Sequence, residues 1–492
     1  KAVRDQFGSI PLIIGGVEGS LRRFAHYDYW SDSVMKSILA ECGADILVYG
    51  MGEKPLKEIA SLLAKGVDVR KINSLRGTCV LRDIRDLPSK TAGFIDDSSV
   101  IPETERYVFL PSYEDVCRDK KVYAEAFRVQ YEEQDPLNGR TLIQKHPEGY
   151  LVQNPPSKPL TTKEMDGVYS LPYTRKPNDI YIAEGGIPAV SEVRFSITAH
   201  RGCFGGCHFC AIAMHQGRIV QNRSKGSIIE EARLMTGQPD FKGYIHDIGG
   251  PTADFHEPAC DKQSAGGVCG NRSCMAPEMC PALRIDHSSY SDILESVSKL
   301  PGVRKVFVRS GVRFDYILAD SKSDFLSRLC EHHISGQLKV APEHVSSSVL
   351  AAMGKPGACV YDDFRQKFAE TNRKLGKKQY LVPYLISGHP GSGLKDAIEL
   401  ALHIKRYIVT PEQVQDFYPT PGSVSTAMYY TGLDPFTMKE IHVPDSEEKL
   451  LQRALLQFSY EKNRKKVIKA LKLAGRDDLI GYGPEHLVRP DR

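Results

Sequence analysis

The chain has 492 residues, 65 lysines plus arginines against 61 aspartates plus glutamates, and a formal net charge of +4. An apolar fraction of 41% with 26% charged residues excludes a largely disordered chain, and no apolar run reaches the roughly 18 residues of a membrane span. So small a positive excess excludes a surface built throughout for nucleic acid, and the length allows about three domains.

The chain begins at Lys1, shows no secretory signal, and reads as a fragment whose natural start lies upstream. Residues 10–14, Ile-Pro-Leu-Ile-Ile, predict a short buried strand ended by Gly15-Gly16, with a polar turn beginning at Ser20. Ser31 is expected to cap a helix bearing Val34, Ile38 and Leu39, with Gly43 as its stop. Residues 46–49 form the next predicted strand and Gly50-Met51-Gly52 its turn. After Pro55, Leu56, Ile59, Leu62 and Leu63 recur at helical spacing. Strand, helix, strand, helix with short connections predicts a parallel α/β sheet, of which residues 1–83 hold the last part. From 84 to 192 the pattern loosens into a connecting segment, with a charged helix over 113–134 and a linker at 154–159. Over 193–444 short strands, such as 195–197, 306–308, 338–340 and 384–386, alternate with helical stretches. That is the pattern of a parallel barrel or open α/β sheet. Two helices over 447–471 dominate a C-terminal region at 445–492.

Seven of the twelve cysteines fall between 203 and 280, which in a chain of this length points to metal or redox chemistry rather than a disulfide framework. Cys203-Phe-Gly-Gly-Cys207-His-Phe-Cys210 follows a strand ending near Thr198 and places three thiolates on one glycine-containing loop. Thiolates suit iron–sulfur clusters and zinc. Three ligands on a four-iron cluster leave one iron open to a chelating small molecule. A zinc loop completed by His208 or a distant cysteine is disfavoured, because structural zinc sites pair their ligands as two knuckles. Cys260, Cys269, Cys274 and Cys280 form a second set in an insertion at about 251–287, a segment with few apolar residues to form its own core. A metal staple makes physical sense there. A second 4Fe–4S cluster is favoured over structural zinc, since the irregular spacing is unlike paired zinc knuckles. Cys42, Cys79, Cys117, Cys330 and Cys359 are scattered and read as small hydrophobes.

The three-cysteine loop resembles the signature of the radical S-adenosylmethionine (radical SAM) superfamily, C-x3-C-x2-C at the end of the first barrel strand. Further motifs resemble its YgiQ-like family over nearly the whole chain: Gly15-Gly-Val-Glu18, the stretch from Ser20 to Trp30, Arg201-Gly-Cys203, Gly217-Arg218, Gln221-Asn-Arg223-Ser224, His246-Asp-Ile-Gly-Gly-Pro-Thr252, Lys339-Val-Ala-Pro-Glu-His344 and Tyr429-Tyr-Thr-Gly-Leu-Asp-Pro435. The resemblance implies an α/β fold whose core at 193–444 is a parallel, partial TIM-type (β/α) barrel. Part of a cobalamin-binding-like, flavodoxin-like domain precedes it and a small helical region follows. It implies that Cys203, Cys207 and Cys210 hold a 4Fe–4S cluster whose open iron chelates S-adenosylmethionine. The reduced cluster would then cleave that cofactor to a 5′-deoxyadenosyl radical, which takes a hydrogen atom from substrate. Gly249 and Gly250 stand where relatives carry Gly-Gly-Glu against the methionine amino group; Pro251-Thr252 follow here, so the acid is absent. Arg309, Ser310 and Arg313 are expected to face ribose or the methionine carboxylate, and Gly388 the adenine. Glu343 and His344 are the candidate catalytic groups on the substrate side.

The reading that results is a cytoplasmic, oxygen-sensitive radical SAM enzyme of unknown substrate, reduced by a reductase or a flavodoxin- or ferredoxin-type donor. Its alternatives are a cobalamin-dependent radical methyltransferase and a non-catalytic, metal-stapled binding protein. Cobalamin is not expected, and His26 reads as an ordinary histidine. Residues 445–492 carry eleven basic and eight acidic side chains, among them Lys462, Arg464, Lys465, Lys466, Lys469 and Lys472. RNA is therefore a partner considered but not favoured, and no membrane is expected.

Overall fold

Two strand systems obeying different rules position the cysteines. The computed structural model describes residues 2–87, 107–270, 272–407 and 414–490. The first system comprises β1 (Ile13–Ile14), β2 (His26–Asp28), β3 (Ser33–Met35), β4 (Ile46–Val48), β5 (Thr78–Arg82), β6 (Tyr107–Phe109), β7 (Thr141–His146) and β8 (Gly149–Gln153). Six of these form one sheet in the order β1-β4-β5-β8-β7-β6. Only the β1/β4 and β6/β7 pairs are parallel; the other three are antiparallel. The sheet is therefore mixed, not the parallel array expected, and it runs to residue 153 rather than stopping at 83. The added strands obey the two-residue period of a sheet covered on both faces. Leu47, Leu142 and Leu151 pack on one side with Phe24 and Leu39. Ile46, Val48, Ile143 and Val152 pack on the other with Ile59. Residues 88–106, at the start of the expected connecting segment, lie outside the described residues.

Local chemistry explains three departures from the sequence reading. Ser20 lies inside the helix Gly16–Leu21, not in a polar turn. Ser31 caps no helix: its amide and hydroxyl donate to Asp28 at 2.9 Å in the turn between β2 and β3. The helix starts later, at Ile38, capped by the Ser37 side chain, and it does stop at Gly43, whose φ is 64°. The expected helix over 113–134 is two, Tyr113–Arg118 and Lys120–Glu132, because the Asp119 carboxylate turns to cap the second.

The second system holds β9 (Ser196–Thr198), β10 (His200–Arg201), β11 (Gln221–Asn222), β12 (Tyr244–Ile245), β13 (Asp247–Gly249), β14 (Lys305–Val306), β15 (Gln337–Glu343), β16 (Tyr380–Ser387) and β17 (Gln415–Asp416). The β9/β13, β12/β14, β15/β16 and β16/β17 pairs are all parallel, and a parallel bridge between Val312 and Val340 joins the halves. Apart from the β10/β11 pair, which is antiparallel and frames the cysteine loop, neighbours follow chain order. Ile197, Ile245, Ile248, Val306, Leu338 and Val340 bury their side chains against helices such as Lys225–Thr236 and Ser288–Ser298. At the C-terminal end the helices Leu394–Tyr407, Ser446–Leu456 and Arg464–Leu473 pack through Ala401, Leu455 and Leu471. Among the described residues no helix is long and apolar enough to cross a membrane.

Chain segments from both systems clasp each other. Tyr27 stacks on Tyr430 at 4.8 Å, and Tyr29 meets Tyr418 edge-on at 5.5 Å. Arg223, 1% exposed, pairs with Glu231, which also binds Arg175 at 2.6 Å. Removing one partner of such a pair leaves a buried charge uncompensated. Glu231→Ala is expected to lower the unfolding free energy by about 3–5 kcal/mol, read by denaturant titration; a loss below about 1 kcal/mol would mean that Arg223 reaches water.

Candidate iron–sulfur site

The three-cysteine loop begins two residues beyond β10 and is held from both sides. Arg201 forms an ion pair with Glu53, in the helix that follows the Gly50–Gly52 turn, and its guanidinium lies 5.2 Å from the Tyr169 ring centre. The Cys203 amide donates to the Gly217 carbonyl at 3.1 Å. His208 is spent on the backbone: its ring nitrogen Nδ1 lies 2.9 Å from the Ala352 carbonyl and its amide donates to Met353. These bonds tie the loop to the end of the helix Ser347–Ala352. Phe204 stacks on Phe255 at 3.8 Å and walls the loop with apolar surface.

The three thiols share one electrostatic environment. Burial pushes Cys203 up, with Cys207 adding to the shift. Burial, then Cys207 and Cys203, push Cys210 up to about 12. Metal binds the thiolate form, so loading has to release the protons of Cys203 and Cys210. Among the described residues no three His, Cys, Asp or Glu side chains close around a single ion. One zinc would draw its sulfurs to roughly 3.8 Å apart, from Zn–S bonds of about 2.3 Å.

Arg313 is the cation of the site. Its Nη1 donates to Cys207 Sγ at 3.4 Å, and Nε and Nη2 form a two-pronged bond with Asp315 at 2.8 and 2.7 Å. Burial opposes its charge, yet Asp315 and the cysteines raise its pKa above the usual arginine value. The fit is tight: a Cβ on Gly205 would lie 3.0 Å from Nη1 and 3.3 Å from Cys203 Sγ. Expected to meet ribose or carboxylate, Arg313 is instead engaged by Asp315 and sulfur.

The other sequence candidates divide. A Cβ on Gly249 would sit 2.8 Å from Ser310 Oγ, and one on Gly250 2.5 Å from His200 Nε2, so close packing already requires both glycines. Ser310 donates through hydroxyl and amide to Asp247, which also takes the Arg309 amide at 2.7 Å. Arg309 itself is exposed, its guanidinium 5.8 Å from the Phe307 ring centre. Gly388, at φ 70°, gives its amide to Gln452 and is walled by Lys449. No hydrogen bond or ion pair among the described residues joins Arg309 or Gly388 to the cysteine loop. His344 accepts from the Ser346 amide, and burial lowers it to about 4, so it is neutral near pH 7.

Glu343 stands apart. It ends β15 in the left-handed region, at φ 68°, which costs a non-glycine residue energy. Burial pushes its carboxyl up to about 7 against the pull of Lys355 and Arg313. The native state therefore keeps a proton that the unfolded chain, with a carboxyl near 4.5, gives up. The stability this group contributes is complete below about pH 4.5 and lost as pH rises through about 7. The unfolding free energy of the wild type minus that of Glu343→Gln should fall across that window; a flat difference would mean that the carboxyl is ionised throughout.

The second cysteine set converges as well. Burial pushes Cys274 up to about 11, opposed by Arg218, with Cys260, Cys280 and Cys269 adding to the rise. The Gln263 amide donates to Cys260 Sγ at 3.4 Å, and Lys262 Nζ to Cys269 Sγ at 3.5 Å. The insertion is less bare than its composition implies, since Phe255, Ala259, Met275 and Leu283 form an apolar cluster with Phe204. Cys203, Cys274 and Cys280 all pack against that cluster. The two loops touch: a Cβ on Gly206 would meet Ser273 Oγ at 2.9 Å. Asp135 of the first system anchors the insertion through the Val268 amide at 3.2 Å.

Sequence reasoning missed Thr252, Asp254, Asp315 and Lys355. Thr252 Oγ1 lies 3.7 Å from Cys203 Sγ, and Asp254 receives the Arg313 amide at 2.9 Å. Lys355 Nζ donates to the Ala341 carbonyl at 2.7 Å. Arg313-Phe-Asp315 was a legible pair two residues apart; Lys355 gave no sequence signal.

The family described as Radical SAM N-terminal matches residues 1–196, and a domain of unknown function, DUF3362, matches 412–492. A UPF0313 protein of Clostridium botulinum (strain ATCC 19397 / Type A) is 54% identical over 488 residues, 99% of this chain and 73% of that protein. A UPF0313 protein of Clostridium perfringens (strain 13 / Type A) is 53% identical over 488 residues, 99% and 72% of the two chains. The solved cobalamin-dependent S-adenosylmethionine radical enzyme OxsB, with aqua-cobalamin bound, matches 97% of this chain and 65% of its own at 10% identity and a TM-score of 0.48. That overlap is too loose to carry OxsB's chemistry across. With its C-x3-C-x2-C loop and two relatives that match 99% of its length at 53–54% identity, the chain belongs to the UPF0313 family of radical SAM proteins.

Proposed function

We propose that this protein is a radical SAM iron–sulfur enzyme whose loop thiols, Cys203, Cys207 and Cys210, hold a 4Fe–4S cluster with one iron open to S-adenosylmethionine. The observation that carries this reading is the set of three electrostatically coupled thiols on one loop, beside a buried arginine that donates to sulfur. The strands around the loop run parallel in chain order, the arrangement of a partial TIM-type barrel, whose sites lie beyond the strand ends. When bound and reduced, such a cluster supplies the electron that cleaves S-adenosylmethionine reductively.

The chain's own residues do the rest. Phe204 and Phe255 present apolar surface to Cys203, and the Thr252 hydroxyl sits against the same thiol. Glu343, protonated in part at neutral pH, is placed to hold or release a proton at its carboxyl oxygen. Its substrate belongs to the class attacked by hydrogen-atom abstraction. Cys260, Cys269, Cys274 and Cys280 are proposed to hold an auxiliary 4Fe–4S cluster, with structural zinc as the competing occupant. The protein is expected to work in the cytoplasm with a flavodoxin- or ferredoxin-type donor.

Iron, sulfide and zinc per chain, measured after anaerobic purification and reconstitution, test the reading. About eight irons are expected for two 4Fe–4S clusters. About four irons with one zinc would keep the enzyme and make the insertion structural. Zinc without iron would overturn the reading.

A further inference from the structure

We infer that Arg313, fixed by Asp315, is a positioning residue that sets the reduction potential of the cysteine-loop cluster, holding it high enough for a biological donor to reduce. The inference rests on the cluster reading above. The guanidinium stays charged at any working pH and presents a rigid fork of donors. Two prongs are taken by Asp315, and the third direction, Nη1, points at Cys207 Sγ. Neither Arg313 nor Asp315 is solvent-exposed: side-chain exposure is 7% and 3%. Solvent screening of this charge is therefore slight.

The rest of the neighbourhood holds the fork in place. The Arg313 amide donates to Asp254 Oδ1. Asp254 Oδ2 faces His287 Nε2 at 3.5 Å, and His287 Nδ1 meets Asp320 at 2.7 Å. A Cβ at Gly205 would crowd Nη1 at 3.0 Å, so it is the glycine that lets the guanidinium sit beside the loop. A site meant to grip a ligand's carboxylate would leave the fork free; here the fork is committed before any ligand arrives.

One-electron reduction adds negative charge to a cluster already bound by thiolates. Hydrogen bonds to sulfur and nearby positive charge stabilise that form and raise the potential. The carboxylate of Asp315 offsets part of the charge but lies on the side of the guanidinium away from sulfur. Taking both groups out leaves the net charge unchanged but removes the cationic end nearest sulfur and its donor, so the reduced cluster becomes harder to make.

The test is a redox titration of reconstituted protein followed by electron paramagnetic resonance. The cysteine-loop cluster is identified as the signal that changes when S-adenosylmethionine is added. The double variant Arg313→Gln with Asp315→Asn is expected to keep wild-type iron and to cut the reduced-to-oxidised ratio at a fixed potential about tenfold. For a one-electron couple that equals a midpoint about 59 mV lower. Arg313→Lys, which keeps the charge but draws it back toward Asp315, should shift the same way by less, and it decides the matter should the double variant not load. Loaded variants with the wild-type midpoint, or a higher one, overturn the inference while leaving the enzyme reading intact. Failure of both variants to load a cluster that the wild type takes up overturns it in favour of a purely structural ion pair. Wild-type protein that takes up no iron overturns the enzyme reading, and this inference with it.

Discussion

Cys207→Ala protein, reconstituted anaerobically with iron and sulfide, is expected to lose the cysteine-loop cluster and all reductive cleavage of S-adenosylmethionine. Cys207 is the central thiol of the loop. Both neighbours feel its charge, and it is the sulfur to which Arg313 donates. Two remaining thiolates leave a four-iron cluster one ligand short of the three that the loop supplies. Alanine also leaves Arg313 with its third donor unmet in a dry pocket. Cys203→Ala and Cys210→Ala should behave alike. The measurement is 5′-deoxyadenosine formed under dithionite, by chromatography, beside iron per chain. Cleavage at the wild-type rate in any one of the three would remove that residue from the ligand set.

Cys274→Ala is expected to remove the second centre, about half the iron, while sparing some cleavage. Of the four cysteines in the insertion it is the one against which the other three are felt, and it packs on the wall shared with Cys203. Because the two loops touch at Gly206 and Ser273, a lower cleavage rate is expected. Loss of the first cluster as well would show the two sets to be one site.

The cysteine loop was legible because three thiols in that register admit few other uses, and the parallel strands because each is a short apolar run between helical stretches. The mixed N-terminal sheet was not. Strands β7 and β8 interleave Gln144, Lys145 and Gln153 with their apolar residues, and their hairpin is far from β5 in sequence. Arg313 was singled out for ribose or a carboxylate, whereas the fold brings it Asp315 and Cys207. A side chain's target depends on what the fold brings near it, and Cys207 lies 106 positions away. The glycines fared similarly: Gly250 and Gly388 are required by His200 and Lys449, contacts no local pattern announces. Several of the family motifs prove to be joinery, as Arg201 to Glu53 and Ser20 to His215 at 2.8 Å show.

The aromatic clasp between Tyr27 and Tyr430 has a bearing on biosynthesis. The helix Val424–Thr431, which carries Tyr430, also covers the cysteine loop, its Ser425 amide donating to the His208 carbonyl at 3.0 Å. Val424 lies 214 positions after Cys210, counted as 424 less 210. At translation rates of about 5–20 residues per second, that is an interval of roughly 10–40 s. For that time the emerging chain carries its loop thiols without the helix that covers them. The helix that covers the loop is made more than two hundred residues after it.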